Sequence, residues 1–129
     1  MRQLMNGIVV LALSSASLSG NAAKKQTGNT TNSHPEKGIA AFYGRSMEGH
    51  KTACGSTYVA SELTTAHRTL PCGTKARITN TKNGKSVEAT VNDRGPTSRK
   101  RIVDVSRAVA EQLDFVKQGT TTVEVEVVK

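Results

Sequence analysis

The run from Lys75 to Asn92, KARITNTKNGKSVEATVN, carries the clearest local pattern in the chain. Ala76 and Ile78 alternate with Lys75, Arg77 and Thr79, and the segment from Ser86 to Asn92 returns with Val87, Ala89 and Val91 on one face. An apolar period of two is how a strand with one buried face reads. Between the two halves lies Lys82-Asn83-Gly84-Lys85, and Asn-Gly tolerates the positive φ angles of a tight two-residue hairpin turn. The pattern therefore predicts a β-hairpin, and the remaining elements are read outward from it.

Upstream, Ile39 to Tyr43 has the composition of a first strand. Downstream, Ile102 to Val105 is another short strand. Ser106 then stands where it can cap a helix from about Arg107 to Leu113, with Val109 and Leu113 one turn apart on the inner face. Thr121 to Val128 closes the pattern, with Val123, Val125 and Val127 on one side and Glu124 and Glu126 on the other. No internal repeat is visible. Short alternating strands and one small helix describe an all-β domain of about 90 residues, close to the lower limit for a self-sufficient core.

The composition narrows the function. The chain has 129 residues, with 18 Lys+Arg against 10 Asp+Glu and a formal charge of +8. Its length allows one ordinary domain plus appendages. No apolar run reaches the roughly 18 residues of a bilayer span, so stable membrane insertion is not expected. Aromatics make up only 3%, too few for an extended base-stacking platform. The cations are scattered rather than gathered on one element, so nucleic acid is not expected as a partner.

Residues 1–22 read as a secretory leader: Arg2 is the positive start, Ile8 to Leu13 the apolar block, and Gly20-Asn21-Ala22 the small-residue cleavage zone. No cysteine lies there, so no lipoprotein anchor is expected. The mature chain is expected to be secreted or periplasmic. Residues 23–37 are polar, with little to bury, and read as a flexible tether in which His34 is exposed. In an oxidising compartment Cys54 and Cys72 are best read as a disulfide, stabilising by about 3 kcal/mol in the loop-entropy model. A metal site would need His50 and His67 to converge on them, and no metal is expected.

Asn92-Asp93-Arg94-Gly95-Pro96 follows a strand and, taken alone, is a turn. A lone histidine such as His67 is more often structural than functional. The segments gain meaning together: AAFYG from Ala40, TACGSTY from Thr52, LTTAHRTLPCGT from Leu63, ITNTKNG from Ile78, VNDRGP from Val91 and RIVDVSRAVAEQL from Arg101. In this order they resemble the RlpA-like double-psi β-barrel domain of rare lipoprotein A-type lytic transglycosylases, which is related to the expansin barrel. The resemblance covers about residues 38–128. It implies a six-stranded double-psi barrel over 38–129 with one or two short helices.

It also implies cleavage of peptidoglycan glycan strands between N-acetylmuramic acid and N-acetylglucosamine, leaving 1,6-anhydro ends and needing no cofactor. An inverting hydrolase needs two carboxyls roughly 6.5–9.5 Å apart, with a water between them. In the transglycosylase reaction the sugar's own C6 hydroxyl attacks C1, so the nucleophile is already in place. One carboxyl can then protonate the leaving oxygen and take the hydroxyl proton. The resemblance assigns that role to Asp93, with His67 as the second catalytic-site residue.

Two departures accompany the likeness. Ser56 stands after Gly55, where the family usually has an acidic residue; it can hydrogen-bond a sugar but cannot hold a proton. Glu48 and Glu62 are the nearby acids that could substitute. The chain also stops at Lys129, without the wall-recognition module many members carry, so septal localisation is not expected. Tyr43, Ser56, Arg94 and Asp104 are read as substrate-binding. Tyr43 is either a sugar-stacking face or core. Asp104 lies eleven positions after Asp93, the spacing of an Asp in expansin-like barrels; it is either part of the site or a loop-bonding residue at the strand–helix junction. The expected partner is the glycan strand, bound by a monomer. The alternative is a non-catalytic, expansin-like protein that binds and loosens wall polysaccharide, for which the basic charge provides salt-sensitive attraction to anionic polymers.

Overall fold

The computed structural model describes residues 34–129, so the leader and residues 23–33 of the tether lie outside the described residues. The predicted hairpin is present. It consists of β3 (Lys75–Asn80) and β4 (Ser86–Asp93), antiparallel, with Ala76 opposite Ala89 and Ile78 opposite Val87. The turn is longer than two residues. Gly84 has φ of +80°, whereas Asn83 is not among the positive-φ residues, so the two adjacent left-handed positions of a tight turn are not formed. Side chains explain the wider loop. The Asn83 amide and the Asn80 amide both donate to the Leu113 carbonyl, at 3.0 and 2.8 Å, while Asn80 Oδ1 accepts from Lys82 N–H and the Thr121 hydroxyl. Asn80 is buried, and every polar atom of its side chain has a partner.

Four further strands complete the barrel: β1 (Glu36–Phe42), β2 (Thr64–His67), β5 (Arg101–Val105) and β6 (Thr120–Val127). Their order around the closed sheet is β1-β5-β2-β4-β3-β6. The β1/β5 and β2/β4 junctions are parallel; the other four are antiparallel. β1 starts three residues before the expected Ile39. Glu36 and Lys37, read from the sequence as the end of the tether, instead pair with Val125 and Glu124 of β6.

The interior is filled by short side chains. Ala40, Ala76, Ile78, Val87, Ala89, Val103, Val105, Val123 and Val125 are buried there, and Val109, Ala110, Leu113 and Phe115 extend the same core. A barrel this narrow has room for little else. The predicted helix, α1 (Arg107–Gln112), is capped as expected: Ser106 Oγ accepts from Val109 N–H and donates to the Glu62 carbonyl. Gly38 is required by packing, because a Cβ there would lie 2.6 Å from Ile102 Cγ2.

Candidate active site

On the side of the barrel containing both parallel junctions, four residues stand level with one another. Ala41 is the register partner of Asp104, Asp104 of Ala66, and Ala66 of Asp93. Carboxylates thus alternate with methyl groups across β1, β5, β2 and β4. Two strand spacings put the Asp93 and Asp104 backbones about 10 Å apart. Both carboxylates line one open groove of about 500 Å³, together with Ala41, Tyr43, Thr97 and Arg101.

Asp93 is held from three directions. Its Oδ1 accepts the backbone N–H of Ala53 at 2.8 Å and of Arg94 at 2.9 Å. Its Oδ2 accepts the Tyr43 hydroxyl at 2.5 Å. Tyr43 is fixed in turn by a parallel stack on Tyr58, ring centroids 4.5 Å apart. Burial, then the bond to Asp93 and the negative charges of Asp93 and Asp104, hold the Tyr43 hydroxyl well above the usual tyrosine range. It keeps its proton and acts as a donor. Tyr43 lines the groove, with its hydroxyl on Asp93 and one ring face covered by Tyr58.

Asp104 is also in the groove. Its carboxylate meets Arg101 Nε at 3.1 Å, so its side-chain partner is a cation rather than the loop backbone that sequence offered as an alternative.

His67 stands elsewhere. It is 5% exposed and is not among the residues lining the groove. Nδ1 accepts the N–H groups of Thr69 and Leu70, both at 3.1 Å, which leaves the ring proton on Nε2, 2.8 Å from Glu36 Oε1. Both nitrogens are occupied. The ring ties the end of β2 to the first residue of β1 and to the turn that follows β2.

Arg94 lines the groove, yet its guanidinium is committed to the protein. It donates to the carbonyls of His67 and Leu70, at 2.8 and 2.6 Å, and approaches Cys72 Sγ at 3.6 Å. No ion pair between Arg94 and Asp93 occurs among the described residues. Ser56 lies in a different groove with Glu62 and the cystine, and its hydroxyl is 3.1 Å from that of Thr52. Glu48 accepts from Ala60 N–H, and neither Glu48 nor Glu62 lines the Asp93 groove. Cys54 and Cys72 form a disulfide rather than a metal site with His50 and His67.

Three participants were not singled out from sequence. The Ala53 N–H is a backbone group and leaves no side-chain signal. Arg101 is an ordinary cation in a basic run. Arg68 uses its guanidinium to gather the carbonyls of Pro96, Ser98 and Arg101, at 2.6, 3.1 and 2.8 Å, and so shapes the rim of the groove.

Comparison with known proteins fits this geometry. A family model described as "Lytic transglycolase" matches residues 35–125. The "Endolytic peptidoglycan transglycosylase RlpA" of Neisseria meningitidis serogroup A is 50% identical over 91 residues, which is 70% of this chain and 38% of the relative. The protein of the same name from Haemophilus influenzae is 36% identical over 110 residues, 85% of this chain and again 38% of the relative. The chain thus matches well under half the length of these relatives. Among solved structures, a Clavibacter michiganensis expansin in complex with cellohexaose superposes with a TM-score of 0.61 at 18% identity, over 74% of this chain and 51% of the expansin. At that identity the likeness speaks for the fold alone, a double-psi β-barrel.

Proposed function

Since the chain belongs to the RlpA-like family of lytic transglycosylases, we propose that it cleaves peptidoglycan glycan strands endolytically outside the cytoplasm, with Asp93 as the general acid and base. The observation that carries this reading is Asp93 itself: a carboxylate in an open groove, free of any arginine clasp, with its two oxygens treated differently.

Oδ1 is saturated by two backbone N–H donors, so the proton the reaction needs is carried by Oδ2. That oxygen faces the Tyr43 hydroxyl, which can turn from donor to acceptor as Oδ2 gains its proton. A glycan lying along the groove presents its bridging oxygen to Oδ2. Asp93 protonates that oxygen as the C1–O bond breaks, the C6 hydroxyl of the N-acetylmuramyl residue closes on C1, and its proton returns to Asp93. The bond lost and the bond gained balance without water, and the products are a 1,6-anhydro end and a free 4-hydroxyl.

Asp104, held by Arg101, contributes polar contacts along the same groove. Ser56 is better read as serving the neighbouring groove. His67 acts as a positioning residue, setting the end of β2 beside Asp93 while touching no sugar, and Arg94 locks the same region from the other side.

The test is digestion of purified peptidoglycan with the folded chain, followed by mass spectrometry for anhydro-muropeptides. Asp93→Asn should lower their rate of formation by about 10²–10⁴-fold with the thermal transition nearly unchanged. Absence of anhydro products from the wild-type chain across pH 4–8 would defeat the enzymatic reading.

A second reading is binding and loosening of wall polysaccharide without cleavage. One observation favours it: a formal charge of +8 gives salt-sensitive attraction to anionic wall polymers with no need of bond cleavage. Salt-sensitive co-sedimentation with wall material and no soluble fragments is the result that would select it.

A further inference from the structure

We infer that the Cys54–Cys72 disulfide is a positioning element for Asp93, and that it sets turnover in addition to its effect on stability. The inference rests on the reading of Asp93 as the acid.

Both donors on Asp93 Oδ1 come from segments that this one cystine ties down. The first is the N–H of Ala53, the residue immediately before Cys54. Ala53 is exposed and lies on a short loop outside the barrel strands, held by the Thr52 N–H bond to the Ser56 carbonyl, the Gly55 N–H bond to the Thr52 carbonyl, and an isolated bridge between Lys51 and Thr57. These contacts shape the loop internally. The Thr57 end of the loop runs into Tyr58, which is buried and accepts the Arg107 N–H, while the cystine is the cross-link at the Ala53–Cys54 tip.

The second donor is the N–H of Arg94. The Arg94 side chain reaches Cys72 Sγ and the Leu70 carbonyl, while Gly73 N–H, next to Cys72, bonds to the Val91 carbonyl two residues before Asp93. The far sulfur is therefore anchored to the strand that carries the acid. Cutting the bridge removes the Arg94 contact to Cys72 Sγ but keeps the Arg94 N–H beside Asp93, its neighbour in the chain, and loosens the Ala53 side.

The chemical effect follows from the roles of the two oxygens. With Ala53 and Arg94 both on Oδ1, the carboxyl cannot rotate to exchange its oxygens, and Oδ2 stays aimed at Tyr43 and the groove. With the loop released, Oδ1 keeps one donor and the carboxyl gains rotational freedom. Loss of one hydrogen bond to a charged group that is oriented for reaction lowers kcat by about tenfold. KM should change little, because the cystine and the Ala53 loop lie outside the groove-lining set.

The experiment compares the wild-type chain, Cys54→Ala/Cys72→Ala, a semisynthetic chain in which the Ala53 backbone amide is replaced by an ester, which deletes the N–H while keeping the bridge, and the combined variant. All are assayed well below their melting temperatures, with folding checked by circular dichroism. The expected result is that kcat falls about tenfold in the bridge-free chain and in the ester variant, with KM within about twofold, and that the combined variant is no worse than either. A purely structural bridge would leave kcat of the folded protein unchanged, or its effect would multiply with that of the ester; either outcome overturns the inference.

Amide exchange supplies a readout that needs no activity. The Ala53 N–H should be protected in the oxidised chain and lose protection in the bridge-free chain, while core amides such as Val103 keep theirs. Should Ala53 remain protected without the bridge, the inference fails whether or not the chain cleaves glycan. Failure of the lytic reading would appear separately, as an inactive wild-type chain with the exchange pattern intact.

Discussion

The barrel has two halves that share β4 and β1 yet work differently. β3 and β6 are antiparallel to each other and to their outer neighbours, and their outward residues form a cross-strand cluster in which Arg77 meets Glu88 and Glu126. Among the lining residues of the Asp93 groove there is none from these two strands. The other half contains both parallel junctions, and every member of the Ala41–Asp104–Ala66–Asp93 row belongs to it. A parallel junction joins strands distant in sequence, so it can set residues from four separate motifs side by side. The antiparallel half carries the charged cross-strand cluster, and the parallel half carries the Asp93 groove.

The sharpest way to break this division is to damage each half and read both activity and stability. Asp93→Asn on the parallel half should lower turnover by about 10²–10⁴-fold, the range for losing a general acid, with little change in the melting curve. Anhydro-product yield and calorimetry together decide it. Ile78→Ala on β3 empties a fully buried site and should cost about 2–5 kcal/mol of stability, measured by denaturant unfolding, while kcat of the folded fraction stays at the wild-type value. A large loss of kcat in that variant would show that the halves are not separable.

Tyr43→Phe tests the hold on Asp93 within the parallel half. Removing the donor to Oδ2 should reduce kcat about tenfold and also change alkaline stability. The folded chain holds the Tyr43 proton more tightly than the unfolded chain does. This contribution is therefore complete below the ordinary tyrosine value of about 10 and is lost as pH rises above it, because the unfolded state ionises first. The wild-type melting temperature should fall more steeply than that of Tyr43→Phe between pH 9 and pH 11. Parallel slopes would sink the assignment. The smallest effect belongs to Arg77→Ala, whose ion pairs are exposed; it should cost under about 1 kcal/mol by the same unfolding assay and less in high salt.

The same division decides what could be read in advance. The β3–β4 pair, β6 and the Ser106-capped helix are local, and their alternation or capping is written in consecutive residues. β2 offered no such signal. Thr65, Ala66 and His67 are buried one after another between two neighbours, and a strand covered on both faces loses its period. The early start of β1 was hidden because Glu36 and Lys37 pair through backbone, whatever their side chains.

The site follows the same logic. Asp93 and Asp104 were legible from motif order, and both lie in the groove. The ring of His67 was legible as a residue but not as a direction: nothing in TTAHRT tells that Nδ1 will face two backbone N–H groups and Nε2 will face Glu36. The turn at Asn83-Gly84 was misjudged in length for a related reason. Its shape is set by the carbonyl of Leu113, thirty positions away.

Arg68 has a consequence for how a polymer would land on this surface. One planar cation bonded to three carbonyls holds the segment from Pro96 to Arg101 like a hand around a rod. If a glycan is the ligand, as proposed above, a rim fixed in this way already has its bound shape before contact, so association need not freeze it and more of the contact energy holds the ligand.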